Sequence, residues 1–320
     1  MSGWSSIEIC AGAGGQALGL EQAGFEHVRL VEIDADACQT LRINRPVWTV
    51  AGGDVRQFDA TAFRGLDLLA GGVPCPPFSV AGRQLGPDDE RDLFPEALRL
   101  VEESRPRAVL LENVRGILDA RFADYRAGIL DTLRKLGYAG GWKLLNASDY
   151  GVPQLRPRAI LVAVRSELSE CFAWPERFPC PPPTVGECLY DLMAGRGWRD
   201  ADVWREQAAS VAPTLVGGSN KHGGPDLGPT RAKRQWAALG VDGNGIADEA
   251  PSPEFTGMPR LTTRMAARLQ GFPDSWLFYG RKTAAHRQIG NAFPPPMAAA
   301  VGMRIAECLR AAAGKKVRIA

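Results

Sequence analysis

Apolar runs alternate with helix-like stretches over the first half of the chain. Each run is rich in Val, Ile, Leu and Ala and short enough for a buried strand, and the stretches between the runs carry apolar residues at helical spacing. Strands that alternate with helices indicate an α/β fold with a doubly wound, mostly parallel sheet. The predicted strands cover residues 6–10, 28–33, 66–70, 108–112, 143–147 and 159–164, and the predicted helices cover 16–23, 35–44, 93–104 and 122–136.

The pattern changes near residue 173, where prolines cluster and the periodicity fades as far as residue 259. We therefore expect two domains: one formed by residues 1–175 together with 286–320, and a smaller, irregular one over 176–285. The elements predicted beyond residue 259 are a helix over 263–270 that ends before Gly271, a loop over 288–296, and a last helix over 297–312 that packs back on the sheet.

Composition narrows the class of protein. Lysine and arginine number 38 against 36 acids, and a net charge of +2 neither requires nor excludes a nucleic-acid partner. The 7 cysteines are odd in number and form no CxxC pair, which argues against a disulfide framework or a zinc site and for a reducing compartment. The sequence lacks an apolar segment long enough to cross a bilayer, so we expect a soluble cytoplasmic protein.

The most informative segment is residues 71–79, Gly-Gly-Val-Pro-Cys-Pro-Pro-Phe-Ser. It follows the predicted strand 66–70, so Cys75 lies in a loop at the carboxyl end of a parallel strand, where reactive groups gather in open α/β sheets. A thiolate at such a place is a good nucleophile if its pKa is lowered. The alternative is a buried structural cysteine in a proline-rich loop, which is the commoner environment of an isolated free cysteine.

A glycine-rich turn follows the first predicted strand, at residues 11–15. Its glycines let a ligand approach the backbone, and the start of the following helix favours negative charge. Glu32 closes the second strand, where an acid accepts hydrogen bonds from ribose hydroxyls, and Asp54 is placed to bind an adenine amino group. This pattern suits a dinucleotide or S-adenosylmethionine equally, and a glycine turn beside a solvated acid is the alternative.

Three charged residues are candidates for catalysis. Glu112 ends a predicted strand near Cys75, and a partly buried carboxyl there is suited to general acid catalysis, although it could instead cap the next helix. Arg156 and Arg158 fall on the same side of an extended segment, because side chains alternate along a strand. Paired arginines suit a phosphate or a ring carbonyl, or else a solvated strand edge whose charges prevent aggregation.

Taken in order along the chain, these segments resemble the DNA cytosine-5 methyltransferases of bacterial restriction–modification systems. The resemblance covers Ile7 to Met297 except for the middle region. Any one of its motifs is weak by itself, and their common order makes the match specific. The motifs are the 11–15 loop, Pro74-Cys75, Glu112-Asn113-Val114, Tyr150-Gly151-Val152-Pro153-Gln154 with Arg156 and Arg158, Arg264 with Ala267-Arg268-Leu269-Gln270-Gly271-Phe272-Pro273, and Gln288-Ile289-Gly290-Asn291.

The resemblance implies a fold and a reaction. The fold is that of the Rossmann-like, S-adenosylmethionine-dependent methyltransferases, with a target-recognition domain and hinge over 176–285. S-adenosyl-L-methionine donates the methyl group, and the acceptor is carbon-5 of a cytosine flipped out of a specific duplex DNA sequence. Cys75 attacks carbon-6 while Glu112 protonates ring nitrogen-3, Arg158 holds the flipped base, and Arg156 supports it.

The resemblance also assigns binding residues. Four positions depart from the usual pattern: Cys10 stands in place of a phenylalanine against the adenine ring, Ile33 in place of a frequent tryptophan, Pro76 in place of a common glutamine, and Met265 in place of a common glutamate. The first two bear on the cofactor site. An aliphatic sandwich around the adenine is therefore expected instead of an aromatic one. The expected cofactor-binding residues are Cys10, Ala11, Gly12, Gly14, Gly15, Glu32, Ile33, Asp54, Val55, Pro74, Leu93, Asn291 and Ala292, and the expected DNA-binding residues are Ser79, Arg83, Gln84, Gln154, Thr214 and Arg264, with no metal.

The expected partner is double-stranded DNA, bound by a monomer at the bacterial nucleoid, away from any membrane and without a stable complex with a cognate restriction endonuclease. Three alternatives stay open. A tRNA cytosine-5 methyltransferase shares the fold, although the long middle region favours a DNA reader. Intact Cys75, Glu112 and Arg158 disfavour a catalytically inactive DNA-binding homologue, and an amino-group methyltransferase would carry an Asn/Asp-Pro-Pro-aromatic motif in place of Pro74-Cys75.

Overall fold

The computed structural model describes residues 3–74, 92–217 and 224–317, with side chains up to residue 313. The chain divides into two compact units. The first contains Met1–Leu145, Pro157–Glu176 and Ala298–Ala320, and the second contains Asn146–Arg156 and Arg177–Met297. The functional division of the chain, with a target-recognition domain over 176–285, stays a prediction. Helices within the described ranges are too short or too polar to cross a membrane.

A seven-stranded mixed sheet is the framework of the first unit. Its strands are β1 (Trp4–Ile9), β2 (Phe25–Glu32), β3 (Val50–Gly52), β4 (Leu68–Gly72), β5 (Ala108–Val114), β6 (Tyr138–Asn146) and β7 (Pro157–Arg165). They lie in the order β3-β2-β1-β4-β5-β7-β6, with β7 antiparallel to β5 and the pairs β1–β2, β1–β4, β2–β3 and β4–β5 parallel. The predicted α/β fold with a mostly parallel sheet is confirmed.

Helices connect the strands of the first unit and supply most of the regular structure of the second. In the first unit they are α1 (Gly15–Gln22), α2 (Ala35–Asn44), α3 (Phe94–Ser104) and α4 (Ala123–Lys135). In the second unit they are α5 (Val185–Ala194), α6 (Ala201–Gln207), α7 (Thr230–Ala238), α8 (Thr263–Leu269) and α9 (Lys282–Asn291). The last helix, α10 (Pro295–Val317), contains residues of both units.

The strands form where the sequence is continuously apolar, because the central strands of a parallel sheet are covered on both faces. Residues 68–70 and 108–111 have no exposed surface. On one face of the sheet, side chains of the central strands pack with α3 and α4 in a single hydrophobic core. The close approach of β4 to β1 requires a glycine, since a Cβ on Gly71 would lie 2.5 Å from Cγ1 of Ile9.

The second unit is more regular than the loss of periodicity after residue 173 indicates. Helix α5 starts at a capping box in which Thr184 and Glu187 bind each other's backbone amides. Trp198, Trp204 and Trp236 are 5%, 3% and 0% exposed, so these large side chains fill a core.

One predicted loop is wrong over part of its length. Residues 288–291 form the last turn of α9, whereas a loop was expected over 288–296. The helix tolerates Gly290 because the backbone of another segment packs directly against it: a Cβ there would lie 2.3 Å from the amide nitrogen of Gly217. In the sequence Gly290 indicated the end of a helix. In the structure it allows the backbone at Gly217 to pack against α9.

Candidate active site

An ion pair joins the end of β5 to the start of β7. Strand β7 runs antiparallel to β5 and brings Arg158 opposite Val114. Val114 lies two residues after Glu112 on β5. The Nε atom of Arg158 lies 2.7 Å from Oε1 of Glu112, and each side chain is only 11% exposed. Burial lowers the pKa of the Arg158 guanidinium from its usual value, and the charge of Glu112 opposes that shift. The structure thus brings together two of the predicted catalytic residues.

The last residue of β4 touches both the predicted catalytic acid and the predicted cofactor loop. Gly72 lies opposite Glu112 in the parallel pairing of β4 with β5. A Cβ on Gly72 would lie 3.5 Å from Oε2 of Glu112 and 3.8 Å from the carbonyl oxygen of Cys10. The carboxyl ends of β1, β4 and β5 therefore meet around Gly72 at one edge of the sheet. Cys75 follows this strand but lies outside the described residues, as do Ser79, Arg83 and Gln84.

Asn113 fixes the backbone that leads towards Cys75. Its buried amide donates through Nδ2 to the carbonyl oxygen of Val73 at 2.9 Å, and its Oδ1 accepts from the amide of Val114 at 2.8 Å. The carbonyl of Val73 comes just before Pro74, which is exposed. Sequence reasoning noted Asn113 only as part of a motif. Its position directly after a strand-ending acid was the available signal for this role.

Glu32 binds the backbone of the glycine-rich turn between β1 and α1. The amide of Gly12 donates to Oε2 of Glu32 at 2.7 Å, and the amide of Asp34 donates to Oε1 at 2.8 Å. Burial raises the pKa of Glu32, and these two hydrogen bonds oppose the rise. Gly12 and Gly14 have φ angles of 54° and 83°, and a Cβ on Gly12 would meet nothing within 4 Å. The backbone of this turn is therefore accessible to a ligand beside a buried acid.

Two buried polar side chains near this turn were not predicted from the sequence. Glu8 is 1% exposed and Gln16 is 3% exposed. Oε2 of Glu8 and both polar atoms of Gln16 have no hydrogen-bond partner among the described residues. Helix α1 begins between them without a side-chain cap and without an acid in its first turn. Since buried polar atoms are nearly always paired in a finished site, these residues fit a ligand that carries polar groups of its own. A glutamate inside an apolar strand was the signal.

The remaining predicted cofactor residues of the first unit are placed as follows. Asp54 forms an ion pair with Arg56 at 2.9 Å and accepts a hydrogen bond from the Arg56 amide. Ile33 is 69% exposed, and the partly buried Cys10 has a φ of 51°, which is uncommon outside glycine. Burial, with Glu32 and Asp54 nearby, raises the pKa of the Cys10 thiol to about 12. Ala11 and Val55 are buried, Gly15 begins α1, and Leu93 precedes α3.

In the second unit, Arg156 is completely buried and binds backbone. Its Nη1 donates to the carbonyl oxygen of Leu215 at 2.7 Å, and its Nη2 donates to those of Gly290 at 2.7 Å and Ala292 at 2.9 Å. Of the two predicted cofactor residues in this segment, Asn291 is exposed and Ala292 is buried. Arg156 therefore positions this segment.

Gln154 is also completely buried, and it works with Gln270. Nε2 of Gln154 donates to Oε1 of Gln270 at 2.8 Å and to the Leu269 carbonyl oxygen at 3.1 Å, while its Oε1 accepts from the amide of Leu215 at 2.9 Å. Gln270 in turn donates to the carbonyl oxygen of Ala292 at 2.6 Å. Gln154 was expected to bind DNA. Its side chain has no exposed surface in this structure and organises the second unit, and its role as a DNA ligand stays a prediction.

The other two predicted DNA-binding residues of the described chain also bind backbone. Thr214 donates from its hydroxyl to the carbonyl oxygen of Leu155. Arg264 donates to the carbonyl oxygens of Pro273 at 3.2 Å and Trp276 at 2.8 Å. Burial lowers the pKa of this guanidinium from its usual value. Thr214 and Arg264 both stay predictions as DNA ligands.

Comparison with known proteins agrees with the resemblance seen in the motifs. Residues 4–307 match the family described as C-5 cytosine-specific DNA methylase. Type II methyltransferase M.NgoMIV of Neisseria gonorrhoeae is 57% identical over 310 residues, which cover 96% of this chain and 98% of the relative. Type II methyltransferase M.NaeI of Lentzea aerocolonigenes is 57% identical over 309 residues, which cover 95% of this chain and 75% of the relative. The chain therefore belongs to the C-5 cytosine-specific DNA methylase family.

Solved structures support the fold. A putative DNA modification methyltransferase encoded within an E. coli prophage superposes with a TM-score of 0.69 at 25% identity, covering 96% of this chain and 99% of that one. A Dnmt2 mutant from Spodoptera frugiperda superposes with a TM-score of 0.65 at 19% identity, covering 94% of this chain and 99% of that one. At this low identity the similarity shows a common fold and nothing more. The predicted membership of a DNA cytosine-5 methyltransferase family is thus confirmed.

Proposed function

We propose that this chain transfers a methyl group from S-adenosyl-L-methionine to carbon-5 of a flipped-out cytosine in a specific duplex DNA sequence, through a covalent Cys75 adduct. The observation that carries the proposal is the buried Glu112–Arg158 pair beside Gly72, at the end of the strand that leads to Pro74-Cys75. Family membership supplies the reaction class, and this pair supplies the acid and the cation that the reaction needs at that place.

The residues of the first unit fit an adenosine cofactor with a charged tail. Glu32 is suited to bind the ribose hydroxyls, and Asp54 is suited to bind the adenine amino group. The exposed Ile33 and the partly buried Cys10 are suited to contact the two faces of the adenine ring. Glu8 and Gln16 are suited to the polar end of the cofactor, because their buried atoms lack partners among the described residues. When bound there, the cofactor supplies an electrophilic methyl group. Asn291 and Ala292, with Arg156 behind them, remain proposed contributors from the second unit.

The reaction requires a nucleophile at carbon-6 of the cytosine ring and an acid at its nitrogen-3. Carbon-5 of cytosine is a poor nucleophile, so the Cys75 thiolate first adds to carbon-6 while Glu112 gives a proton to nitrogen-3. The resulting enamine takes the methyl group at carbon-5. Loss of the carbon-5 proton then expels the cysteine. Arg158 orients Oε1 of Glu112 through the 2.7 Å contact, so that Oε2 faces the Gly72 edge of the sheet.

The substrate base must leave the helix to reach these groups, because carbon-6 is enclosed by stacking inside a duplex. Extrusion of a base costs a few kcal/mol. We propose that Arg158 contacts the flipped base and that the buried Arg156 and Gln154 act by positioning. The relatives are type II methyltransferases, so we also propose a role in restriction–modification, with the protein acting as a monomer on nucleoid DNA and without a stable complex with an endonuclease.

Covalent trapping tests this proposal. DNA amplified with 5-fluorocytosine in place of cytosine is incubated with the protein and S-adenosyl-L-methionine, and adducts that survive denaturation are measured. Fluorine cannot leave as a proton does, so the account predicts a stable adduct with the wild-type protein and none with Cys75→Ala. Fluorinated tRNA is the matched substrate control. Trapping on tRNA but not on DNA, or equal adduct formation by Cys75→Ala, would contradict the proposal.

A further inference from the structure

Helix α7 of the second unit presents an exposed basic face. Its sequence, Thr-Arg-Ala-Lys-Arg-Gln-Trp-Ala-Ala, contains no acid. Arg231 and Arg234 are both exposed, and because they are three residues apart they project from the same side of the helix. Trp236 on the other side has no exposed surface. One side of α7 is therefore anchored in the core, and the other offers two guanidinium groups to solvent.

These two arginines differ from most arginines of the second unit. Neither has an acidic or carbonyl partner among the residues that the structure describes. Four arginines elsewhere in the unit are neutralised by acids: Arg177 by Asp149, Arg196 by Glu249, Arg260 by Asp242, and Arg268 by Asp191 and Asp274. Two exposed positive charges on one helix face repel each other and add nothing to folding stability, and together they form a surface that attracts an anionic partner.

Helix α7 and the segment that precedes it are tied to their surroundings by polar contacts. Nζ of Lys233 lies 2.8 Å from a carboxylate oxygen of Asp226, and the Asp226 carbonyl oxygen lies 3.1 Å from Nε2 of the buried His286. The neighbouring Leu227 donates its amide to the carbonyl oxygen of Gly243 at 3.0 Å. These contacts pin the segment that leads into α7 at several points. A rigid element is what a surface needs if it is to hold charged side chains in register with a partner.

We propose that α7 contacts duplex DNA through Arg231 and Arg234, an inference that rests on the proposed function. Guanidinium groups bind phosphate oxygens and the edge of guanine bidentately, more specifically than ammonium groups do. Side chains three residues apart on a helix are about 5–6 Å apart at Cβ, so the two groups reach DNA positions one or two base steps from each other. The helix thereby supplies part of the DNA-binding surface.

The test compares Arg231→Gln and Arg234→Gln with Arg199→Gln, a matched loss of charge at another exposed arginine of the same unit. The target duplex is taken from bisulfite mapping of wild-type activity, and a shuffled duplex serves as the non-target. Dissociation constants are measured by fluorescence anisotropy over a range of salt concentrations. We expect each α7 variant to weaken binding about tenfold or more, with Arg199→Gln close to wild type.

The salt dependence separates two kinds of contact that both support the proposal. Weaker binding to both duplexes, with a salt slope smaller by about 1 per residue, assigns the arginines to phosphates. Weaker binding to the target duplex alone assigns the arginines to base edges. In that case Arg231→Lys should bind the target duplex as weakly as Arg231→Gln does. Melting temperature and affinity for S-adenosyl-L-methionine should stay at wild-type values, because the side chains of Arg231 and Arg234 are exposed and act on DNA alone.

Two outcomes overturn different claims. If the wild-type protein methylates DNA while both α7 variants bind and methylate as Arg199→Gln does, within about twofold, α7 is not a DNA-contacting element and the inference is wrong. If the wild-type protein neither methylates DNA nor forms an adduct with 5-fluorocytosine DNA, the proposed function itself fails. The two failures are therefore distinguishable from one set of proteins.

Discussion

The guanidinium of Arg158 and the carboxylate of Glu112 meet at 2.7 Å, with each side chain 11% exposed, although the two residues are 46 positions apart in the sequence. The antiparallel entry of β7 beside β5 creates this contact. A carboxylate and a guanidinium that are both largely withdrawn from water depend on each other, because removal of one leaves the other as an uncompensated buried charge. Substitutions at this pair must therefore separate chemistry from folding.

Glu112→Gln is the variant that makes this separation. Glutamine keeps the shape and an oxygen acceptor for Arg158, but it cannot deliver a proton to nitrogen-3 of the base. We expect the rate of methyl transfer by the folded protein to fall by about 10²–10⁴-fold. The melting temperature should fall as well, because the buried Arg158 loses its counter-charge, so the rate is compared at a temperature where both proteins are folded. Single-turnover transfer of labelled methyl groups measures the rate. A loss of only a few-fold would mean that Glu112 holds Arg158 in place and does not act as an acid.

Asn113 offers a test of how the strand end before Cys75 is positioned. Asn113→Asp keeps the oxygen that accepts from the Val114 amide but removes the donor to the Val73 carbonyl oxygen. Leaving a buried carbonyl unpaired costs about 1–3 kcal/mol of unfolding free energy. We expect the turnover number to fall at least about tenfold with the affinity for S-adenosyl-L-methionine unchanged. A variant that loses stability in urea but keeps full turnover would limit Asn113 to a structural role.

The Cys10 thiol should be unusually inert. Its pKa is raised to about 12 by burial and by the carboxylates of Glu32 and Asp54, so the fraction of thiolate at pH 8 is about 10⁻⁴. Iodoacetamide reacts with thiolates, and mass spectrometry of the peptides gives the rate at each cysteine. The exposed Cys180 is the internal reference and should be alkylated at least about 100-fold faster. Equal rates would show that Cys10 is solvated and outside a buried acidic pocket.

Glu8 should make stability depend on pH. Burial, reinforced by Glu32, raises its pKa well above the ordinary value of 4.5. In the folded protein the carboxyl therefore keeps its proton at pH values where the unfolded chain has lost it, and its contribution to stability falls as the pH rises above 4.5. Glu8→Gln removes this dependence, so its melting temperature should exceed that of the wild type by more at pH 8 than at pH 5.

The control for Glu8 is Glu102→Gln, at an exposed helical position, which should show no such difference between the two pH values. A wild-type protein whose stability rises between pH 5 and pH 8 relative to Glu8→Gln would contradict the assignment. Calorimetry adds a second measurement: if Glu8 faces the polar end of the cofactor, the glutamine variant gains stability but binds S-adenosyl-L-methionine more weakly.

The end of β5 could be predicted from the sequence because a parallel sheet places its strand ends at one edge, and this is why Glu112 could be predicted as a site residue. Arg158 was predicted instead from its pairing with Arg156 on an extended segment and from the family resemblance, since β7 runs antiparallel to β5. Contacts between distant segments were not readable. Gln154 meets Gln270 across 116 residues, and neither carries a local signal that distinguishes a buried hydrogen bond from a DNA contact. The helices α5, α6 and α7 were not predicted either, because they lie in the stretch from about residue 173 to 259 where the apolar periodicity fades.

Bisulfite sequencing shows directly whether this protein methylates cytosine at carbon-5 in a defined DNA sequence. Genomic DNA is prepared from cells that express the wild-type protein and from cells that express Cys75→Ala, in a host without cytosine methylation of its own. If the protein has this activity, cytosines resist conversion at one short recurring sequence with the wild-type protein, and every such position converts with Cys75→Ala. Complete conversion with the wild-type protein in its folded, cofactor-supplied form, or the same protected sites with Cys75→Ala, would contradict the proposed function.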